Sequence, residues 1–202
     1  MTPTALAELI REKAGTGRGR YLAALAGPPG AGKSTLSAAL VAALGTGARV
    51  VPMDGFHYDD AVLTARGLRS RKGAPETFDL DGFVHLITRL RAGGEVAIPV
   101  FDRSIELSRA AADVVLLEDR FLIIEGNWLL LNEGKWAELA SLFDLTIWID
   151  VGIEELDRRL VARWAQHGKS PAEARAWIDG NDMPNIRRCI ETSRPADVVI
   201  TP

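Results

Sequence analysis

Short apolar runs alternate with stretches of helical periodicity along the whole chain. Six runs rich in aliphatic and β-branched residues predict strands at Tyr21–Ala26, Arg49–Met53, Val96–Phe101, Phe121–Ile124, Leu145–Ile149 and Asp197–Ile200. Between them, the spacing of apolar positions predicts helices over Ser34–Leu44, Gly82–Arg91, Lys135–Leu142, Glu154–His167 and Pro171–Glu191. Such alternation is typical of βαβ units, so we predict an α/β fold with a central, mostly parallel five-stranded sheet between two layers of helices.

Three segments carry additional local signals. Gly180 and Pro184 predict a break in the last helix. The run Val114–Leu117, followed by an acidic turn, predicts a short hairpin that leads into the strand at Phe121. The N-terminal segment 2–20 predicts a short amphipathic helix.

The octapeptide GPPGAGKS at 27–34, between the first strand and the following helix, fits the pattern G-x-x-x-x-G-K-[ST]. Its glycines allow a tight turn whose N–H groups point inward, and the helix N-terminus adds partial positive charge, so the loop should bind nucleotide phosphates. Lys33 would reach the β- and γ-phosphates, and the Ser34 hydroxyl would bind Mg²⁺. The context predicts a three-layer P-loop NTPase fold, with these nucleotide-binding residues: Gly27, Pro28, Pro29, Gly30, Ala31, Gly32, Lys33, Ser34 and Thr35.

Composition narrows the class of protein further. The chain has 202 residues, 47% of them hydrophobic, which suits one domain with a single core. Its net charge is −3 with acidic and basic residues interspersed, so we expect no nucleic-acid partner. A lone cysteine, Cys189, and the lack of a signal peptide or a membrane-spanning stretch predict a cytoplasmic protein without membrane insertion. A homodimer is among the assemblies it could form.

Carboxylates stand at the ends of predicted strands, where ligands bind in open α/β sheets. Asp54 follows the second strand and could hold an acceptor hydroxyl in line with a γ-phosphate, although Asp54-Gly55 could equally form only a turn. Glu125 ends a strand expected beside the phosphate loop, and we favour it over Asp150 as the carboxylate on the Mg²⁺ side; either could instead cap a helix. The long irregular segment 54–79 should border this site.

Arg159 and Arg163 are four residues apart on a predicted helix and therefore share a face. Guanidinium groups suit phosphate oxygens, so this helix could be a lid that closes over the nucleotide. The alternative is a solvated face paired with the acidic residues of 154–157. Among the histidines, only His57 stands close to a candidate site residue in the sequence.

Seven segments of the chain, taken in their order along the sequence, resemble the uridine kinase, phosphoribulokinase and pantothenate kinase superfamily. They are GPPGAGKS at 27–34, MDGFH at 53–57, ETFDLDGF at 76–83, IPVFDRSIELSR at 98–109, IIEGNWLLL at 123–131, RRLVAR at 158–163 and RPADVVI at 194–200. Within this group the chain looks most like small bacterial proteins described as fructose transport system kinases. The resemblance implies a single P-loop kinase domain over 1–202 that uses ATP and Mg²⁺. It also implies acceptor-side segments near 54–80 and 102–120 and a lid near 154–180.

The resemblance also implies roles for individual residues. Asp54 matches the acid that orients and deprotonates the acceptor hydroxyl, and Glu125 matches the acid of an E-G step after a strand. With the loop lysine and the arginine-bearing lid, the expected catalytic set is Asp54, Lys33, Arg159 and Arg163. The expected metal ligands are Ser34, Glu125 and Asp54. The expected acceptor-binding residues are His57, Asp79, Phe101, Asp102, Glu106 and Arg109.

Departures from uridine kinase bear on the acceptor. Phe101 replaces a tyrosine, and the segment 104–108 lacks the histidine that precedes the matching Arg109. A phenyl ring cannot donate a hydroxyl hydrogen bond, so a uracil base is disfavoured, whereas a polyhydroxylated acceptor would suit nearby carboxylates. We therefore predict transfer of the γ-phosphate of ATP to a hydroxyl of a sugar or sugar-like acceptor, with fructose-type acceptors favoured. A uridine-like nucleoside kinase, a pantothenate kinase, and a nucleotide-binding switch or accessory ATPase without a small acceptor stay open.

Overall fold

A sheet of five parallel strands crosses the molecule in the order β2-β5-β1-β6-β7. The computed structural model describes all residues from Met1 to Pro202. The strands of this sheet are β1 (Tyr21–Ala26), β2 (Ala48–Pro52), β5 (Phe121–Gly126), β6 (Leu145–Ile149) and β7 (Val198–Ile200). The predicted α/β fold with a five-stranded central sheet is therefore confirmed.

Helices cover both faces of the sheet. They are α1 (Pro3–Ala14), α2 (Lys33–Leu44), α3 (Asp60–Ala65), α4 (Leu80–Ala92), α5 (Ile153–Gln166), α6 (Pro171–Trp177) and α7 (Met183–Thr192). Alternate side chains of β1 point to opposite faces, so Leu22 packs in a core with α4, whereas Leu25 packs in a second core with α1, α2 and α5. This arrangement gives the three layers expected from the sequence.

The remaining strands, β3 (Val96–Asp102) and β4 (Leu107–Val115), form a separate antiparallel hairpin. The prediction of a hairpin between Val114–Leu117 and the strand at Phe121 was wrong, because the end of β4 pairs with β3 instead. After β4 the chain turns, and the Asp119 carboxylate accepts a hydrogen bond from the Leu116 N–H. β5 then enters the central sheet between β1 and β2.

The C-terminal helical region is interrupted where the sequence predicted. A π-helical turn over Ile178–Asp182 separates α6 from α7. The predicted helix over Lys135–Leu142 is a 3₁₀ helix, Gly134–Leu142, and short 3₁₀ turns occupy Met53–Phe56, Arg69–Arg71 and Pro75–Thr77. None of the helices has the length and apolar character needed to cross a bilayer.

Candidate active site

The phosphate loop connects β1 to α2 at the carboxyl end of the sheet. Gly30 and Gly32 have positive φ angles of 83° and 93°, which side-chain-bearing residues rarely adopt. Gly32 caps the N-terminus of α2 without a side-chain hydrogen bond, so the first N–H groups of the helix remain open toward the loop. The geometry is that of an anion-binding helix start.

Lys33 folds back over this loop. Its Nζ atom donates to the carbonyl oxygens of Gly27 (3.0 Å) and Pro28 (3.1 Å) and to Oδ1 of Asn127. Burial lowers the pKa of Lys33, while the negative charge of Glu125 acts in the opposite direction. The ammonium group therefore already lies inside the loop that would hold the phosphates.

Glu125 stands directly beside the phosphate loop because β5 pairs with β1 in parallel, with Glu125 opposite Leu25. The Ser34 hydroxyl lies 3.2 Å and 3.3 Å from the two Glu125 carboxylate oxygens. Burial raises the pKa of Glu125, and the nearby charge of Lys33 opposes this shift. By contrast, Asp150 is exposed at the end of β6.

These oxygen donors fit a magnesium ion. Ser34, Glu125 and Asp54 offer only hydroxyl and carboxylate oxygens, the ligands that Mg²⁺ prefers. No group of three or more His, Cys, Asp or Glu side chains is placed to hold a metal alone. An ion bound through one or two carboxylates, substrate phosphates and water suits this arrangement.

Asp54 lies in the 3₁₀ turn over Met53–Phe56, which directly follows the end of β2. A Cβ atom at Gly55 would lie 2.7 Å from the Pro99 carbonyl carbon, so only glycine allows this close approach to β3. The Asp54 carboxylate forms an ion pair of 2.5 Å with Arg103. Burial acts to raise the pKa of Asp54, but the positive charges of Arg103, of Lys33 and, in acid, of protonated His57 outweigh it, and the pKa lies below its ordinary value. Asp54 is therefore ionised at neutral pH.

Three adjoining cavities meet at this carboxylate. The loop cavity (about 290 Å³) is lined by the phosphate loop. The lid cavity (about 350 Å³) is lined by residues of α5 to α7. The hairpin cavity (about 420 Å³) is lined by the β3–β4 hairpin. Asp54 and Arg103 line all three. Six residues of the phosphate loop line the loop cavity: Pro29, Gly30, Gly32, Lys33, Ser34 and Thr35.

His57 and Phe101 form one wall of the lid cavity. The His57 ring lies with its centroid 4.0 Å from that of Phe78 and 4.9 Å from that of Phe101. Its Nδ1 atom is 2.9 Å from the Asp54 carbonyl oxygen. Burial lowers the pKa of His57, so the ring is neutral at pH 7. The Lys72 ammonium lies 5.0 Å from the Phe101 ring centroid.

Asp102, Arg109 and Glu106 belong to the hairpin. Asp102 accepts hydrogen bonds from Ser104 and from Arg109, whose Nη1 atom is 3.1 Å away, and the Asp102–Arg109 pair lines the hairpin cavity. Glu106 sits at the hairpin turn with a φ of 52° and lines the lid cavity, where its carbonyl accepts from Lys72 at 3.2 Å. These predicted acceptor residues therefore divide between two cavities that share Asp54.

Asp79 is placed differently from the expectation. Its carboxylate caps α4, accepting a hydrogen bond of 3.0 Å from the Gly82 N–H, and it lines none of the three cavities. A carboxylate at this position satisfies a helix N–H group that otherwise has no partner. We therefore leave Asp79 out of the acceptor site.

Arg159 and Arg163 share the face of α5 that looks onto the loop cavity. Arg159 pairs with Glu155 (2.6 Å) and donates to the Ala31 carbonyl (3.2 Å), so it contacts the loop and an acidic neighbour together. Arg163 forms no ion pair and lines both the loop cavity and the lid cavity. Burial lowers its pKa, as does the charge of Arg103, but a guanidinium group stays protonated.

Some residues at the site were not predicted from the sequence. Asn127, two residues after Glu125, lines the loop and lid cavities and binds Lys33; the rule that ligands lie beyond strand ends could have found it. Trp164, Trp177, Asn181 and Asn185 also line the lid cavity. Their convergence depends on the π-helical turn between α6 and α7, and no local pattern signals it.

A phosphate loop that opens into a second polar cavity beside a strand-end carboxylate is the arrangement that a P-loop kinase needs to bring a phosphate donor and an acceptor together. Residues 22–201 match the model of the phosphoribulokinase / uridine kinase family, and the chain belongs to this family. The family assignment agrees with the resemblance seen in the sequence.

Individual relatives support the assignment. A crystal structure titled "putative fructose transport system kinase" from Silicibacter sp. TM1040 is 44% identical, with a TM-score of 0.95 and 99% of both chains covered. The uncharacterized protein YggC of Escherichia coli (strain K12) is 35% identical over 90% of this chain and 77% of its own. The "putative uridine kinase C227.14" of Schizosaccharomyces pombe is 33% identical over 90% of this chain and 83% of its own. Pantothenate kinases also match, and the chain spans about half of their length, for example 48% of the Mycolicibacterium vanbaalenii enzyme at 29% identity.

Proposed function

We propose that this kinase transfers the γ-phosphoryl group of Mg-ATP to a hydroxyl of a sugar or sugar-like acceptor. The proposal rests on one observation: Asp54 and Arg103 line both the loop cavity and the lid cavity. A phosphate donor in the loop cavity and an acceptor in the lid cavity would meet at the Asp54 carboxylate. Phosphoryl transfer depends chiefly on such in-line positioning and on charge stabilisation.

On the donor side, the N–H groups of the loop and of the first turn of α2 would hold the phosphates. The Lys33 ammonium would exchange the carbonyl oxygens of Gly27 and Pro28 for phosphate oxygens, a short movement because it already lies in the loop. When bound by Ser34 and Glu125, Mg²⁺ supplies neutralising charge to the β- and γ-phosphates. Arg159 and Arg163, on the lid, would stabilise the group in transit.

On the acceptor side, Asp54 would accept the proton of the attacking hydroxyl as the new O–P bond forms and the bond to ADP breaks. Ionisation of Asp54 at neutral pH, supported by Arg103, keeps the carboxylate available for this step. His57 and Glu106 in the lid cavity, and Asp102 in the adjoining hairpin cavity, offer nitrogen and oxygen acceptors, which suits a molecule with several hydroxyl donors. This chemistry supports a sugar-like acceptor over a planar base.

A pantothenate-type acceptor is the second candidate. Pantothenate carries hydroxyl groups and a carboxylate, and the lid cavity contains Lys72, Arg69 and Lys169 as possible cationic partners. The relatives named pantothenate kinase add support, although the chain spans only about half of their length. A uridine-like acceptor has the weaker chemical case, because Phe101 presents only an apolar ring.

The direct test is a coupled ADP-release assay with fructose, other sugars, polyols, nucleosides and pantothenate as acceptors. We expect a sugar-like compound to raise the rate of ADP release, and we expect Lys33→Ala to abolish that increase. A strong response to uridine would overturn the ranking of acceptors. ATP hydrolysis that is independent of every acceptor would favour an accessory ATPase or a nucleotide-dependent switch.

A further inference from the structure

The lid cavity is lined by more cationic than acidic side chains, although the protein has a net charge of −3. Its lining includes five cationic side chains, Arg69, Lys72, Arg103, Arg163 and Lys169, against three carboxylates, Asp54, Glu106 and Asp182. Asp60, just outside the lining, binds both Arg69 and Lys72 at 2.6 Å. The cavity remains net cationic when Asp60 is included, so it favours an anionic occupant.

Lys169 is the cation of this cavity that neither forms an ion pair with a carboxylate nor has a role in the proposed phosphoryl transfer. It lies in the connection between α5 and α6, with its ammonium 5.2 Å from the Trp164 ring centroid and 5.5 Å from that of Trp177. It forms no ion pair, and the Asp182 carboxylate nearby accepts instead from the Trp164 indole N–H at 2.7 Å. The two indole rings hold the ammonium at the cavity wall without neutralising it.

Two buried polar atoms of the same cavity have no hydrogen-bond partner. They are the indole Nε1 of Trp177, a donor, and the amide Oδ1 of Asn185, an acceptor. Asn185 is only 2% exposed. Buried polar atoms in folded proteins are nearly always paired, so these two atoms require a partner that the chain itself does not supply.

We propose that the acceptor of this kinase carries an anionic group, a carboxylate or a phosphate, which is bound by Lys169 and the indole N–H of Trp177. Asn185 Oδ1 accepts a hydrogen bond from one of the acceptor's hydroxyls. The inference deepens the proposed kinase function and rests on it. The substrate class is then a sugar acid or a sugar phosphate, with its reacting hydroxyl at Asp54 and its anionic group at the Lys169 side of the cavity.

Matched acceptors test the charge requirement. Sorbitol, gluconate and sorbitol 6-phosphate share a six-carbon chain, and glycerol, glycerate and glycerol 3-phosphate share a three-carbon chain. We expect a charged member of one series to exceed its neutral counterpart in kcat/KM by about tenfold or more, the scale of one charge-assisted hydrogen bond. Comparison of the carboxylate with the phosphate identifies which anion the site prefers. Equal or faster turnover of the neutral members would overturn the proposal.

Variants test the residues. Lys169→Gln should raise KM for the charged acceptor about tenfold, and Trp177→Phe, which removes the donor but keeps an aromatic ring, should raise it by about threefold to tenfold. Lys135→Gln is the matched control, because Lys135 pairs with Asp81 on the surface and lines none of the three cavities. Unchanged KM in both cavity variants would contradict the assignment.

Calorimetric titration separates this proposal from the kinase function itself. Gluconate and sorbitol 6-phosphate are titrated into the ADP-bound protein and into its Lys169→Gln variant. Binding that the variant weakens, without ADP release on any acceptor, would support the anion site and refute the kinase proposal. Acceptor-dependent ADP release without a preference for charged ligands would support the kinase and refute the anion site.

Discussion

At the scale of single residues, the account depends on Asp54. The residue is fixed by the close packing of Gly55 against Pro99 and is held ionised by Arg103. The position of Asp54 and of Glu125 could be predicted from the sequence, because parallel strands end at one edge of a sheet. The cap formed by Asp79 was missed, because the resemblance assigned Asp79 to the acceptor and the predicted helix start at Gly82 lies two residues after the observed start at Leu80. The partners of Lys72 on the β3–β4 hairpin, Glu106 and Phe101, could not be predicted, because they approach from a distant part of the chain.

Asp54→Asn should lower kcat by about 100-fold or more, the usual contribution of a positioned general base. The KM for ATP should change little, because the phosphate loop is intact. Steady-state kinetics with the best acceptor from the ADP-release screen measures both constants. Asp150→Asn, at the exposed end of β6, is the matched control and should behave as the unmodified protein. An unchanged kcat in Asp54→Asn would remove the base assignment.

Arg103→Gln should shift the acid limb of the pH–rate profile to higher pH. Burial acts to raise the pKa of Asp54, whereas the Arg103 charge acts to lower it, so the loss of that charge raises the pKa at which the base is protonated. Compared with the unmodified protein, the variant should therefore lose more activity in mildly acidic buffer than it loses at neutral pH. Arg89→Gln, an exposed arginine on α4, should leave the profile in place. Identical profiles for both variants would show that Arg103 does not tune the base.

At the scale of elements, α5 carries the lid hypothesis. Periodicity predicted that Arg159 and Arg163 share a face, and both line the loop cavity. The alternative of a solvated face applies to Arg158, which is 72% exposed and pairs with Glu155. The hairpin β3–β4 was partly missed, because Val96–Phe101 has the same apolar character as a central strand and only its tertiary partner separates the two cases.

Arg163→Ala should slow single-turnover phosphoryl transfer by about 100-fold or more, since arginines that stabilise the transferring group contribute on the order of 10³-fold or more. Rapid-quench measurements with enzyme in excess over ATP isolate this step from product release. The control is Arg158→Ala, five residues earlier on the same helix, which tests whether loss of any α5 arginine has the same effect. This variant should transfer the phosphoryl group at the rate of the unmodified protein. Equal rates in both variants would return α5 to a structural role.

At the scale of the whole molecule, the five-stranded order places β5 next to β1, and this adjacency brings Glu125, Asn127 and the phosphate loop together. Alternation of strands and helices was enough to predict the three layers. The lid cavity could not be predicted, because its walls come from α5, the π-helical turn, α7 and the β3–β4 hairpin, which meet only after folding. The acceptor-binding half of the site is therefore the part that the structure adds.

Phosphorus NMR of a reaction containing ATP, Mg²⁺, the kinase and a panel of hydroxyl acceptors tests the central claim most directly. The account predicts a phosphate monoester signal that grows in equal amount with ADP in the presence of a sugar-like acceptor. The same signal should be absent with Asp54→Asn on the same timescale. Inorganic phosphate as the sole product beside ADP, with every acceptor recovered unchanged, would contradict the account.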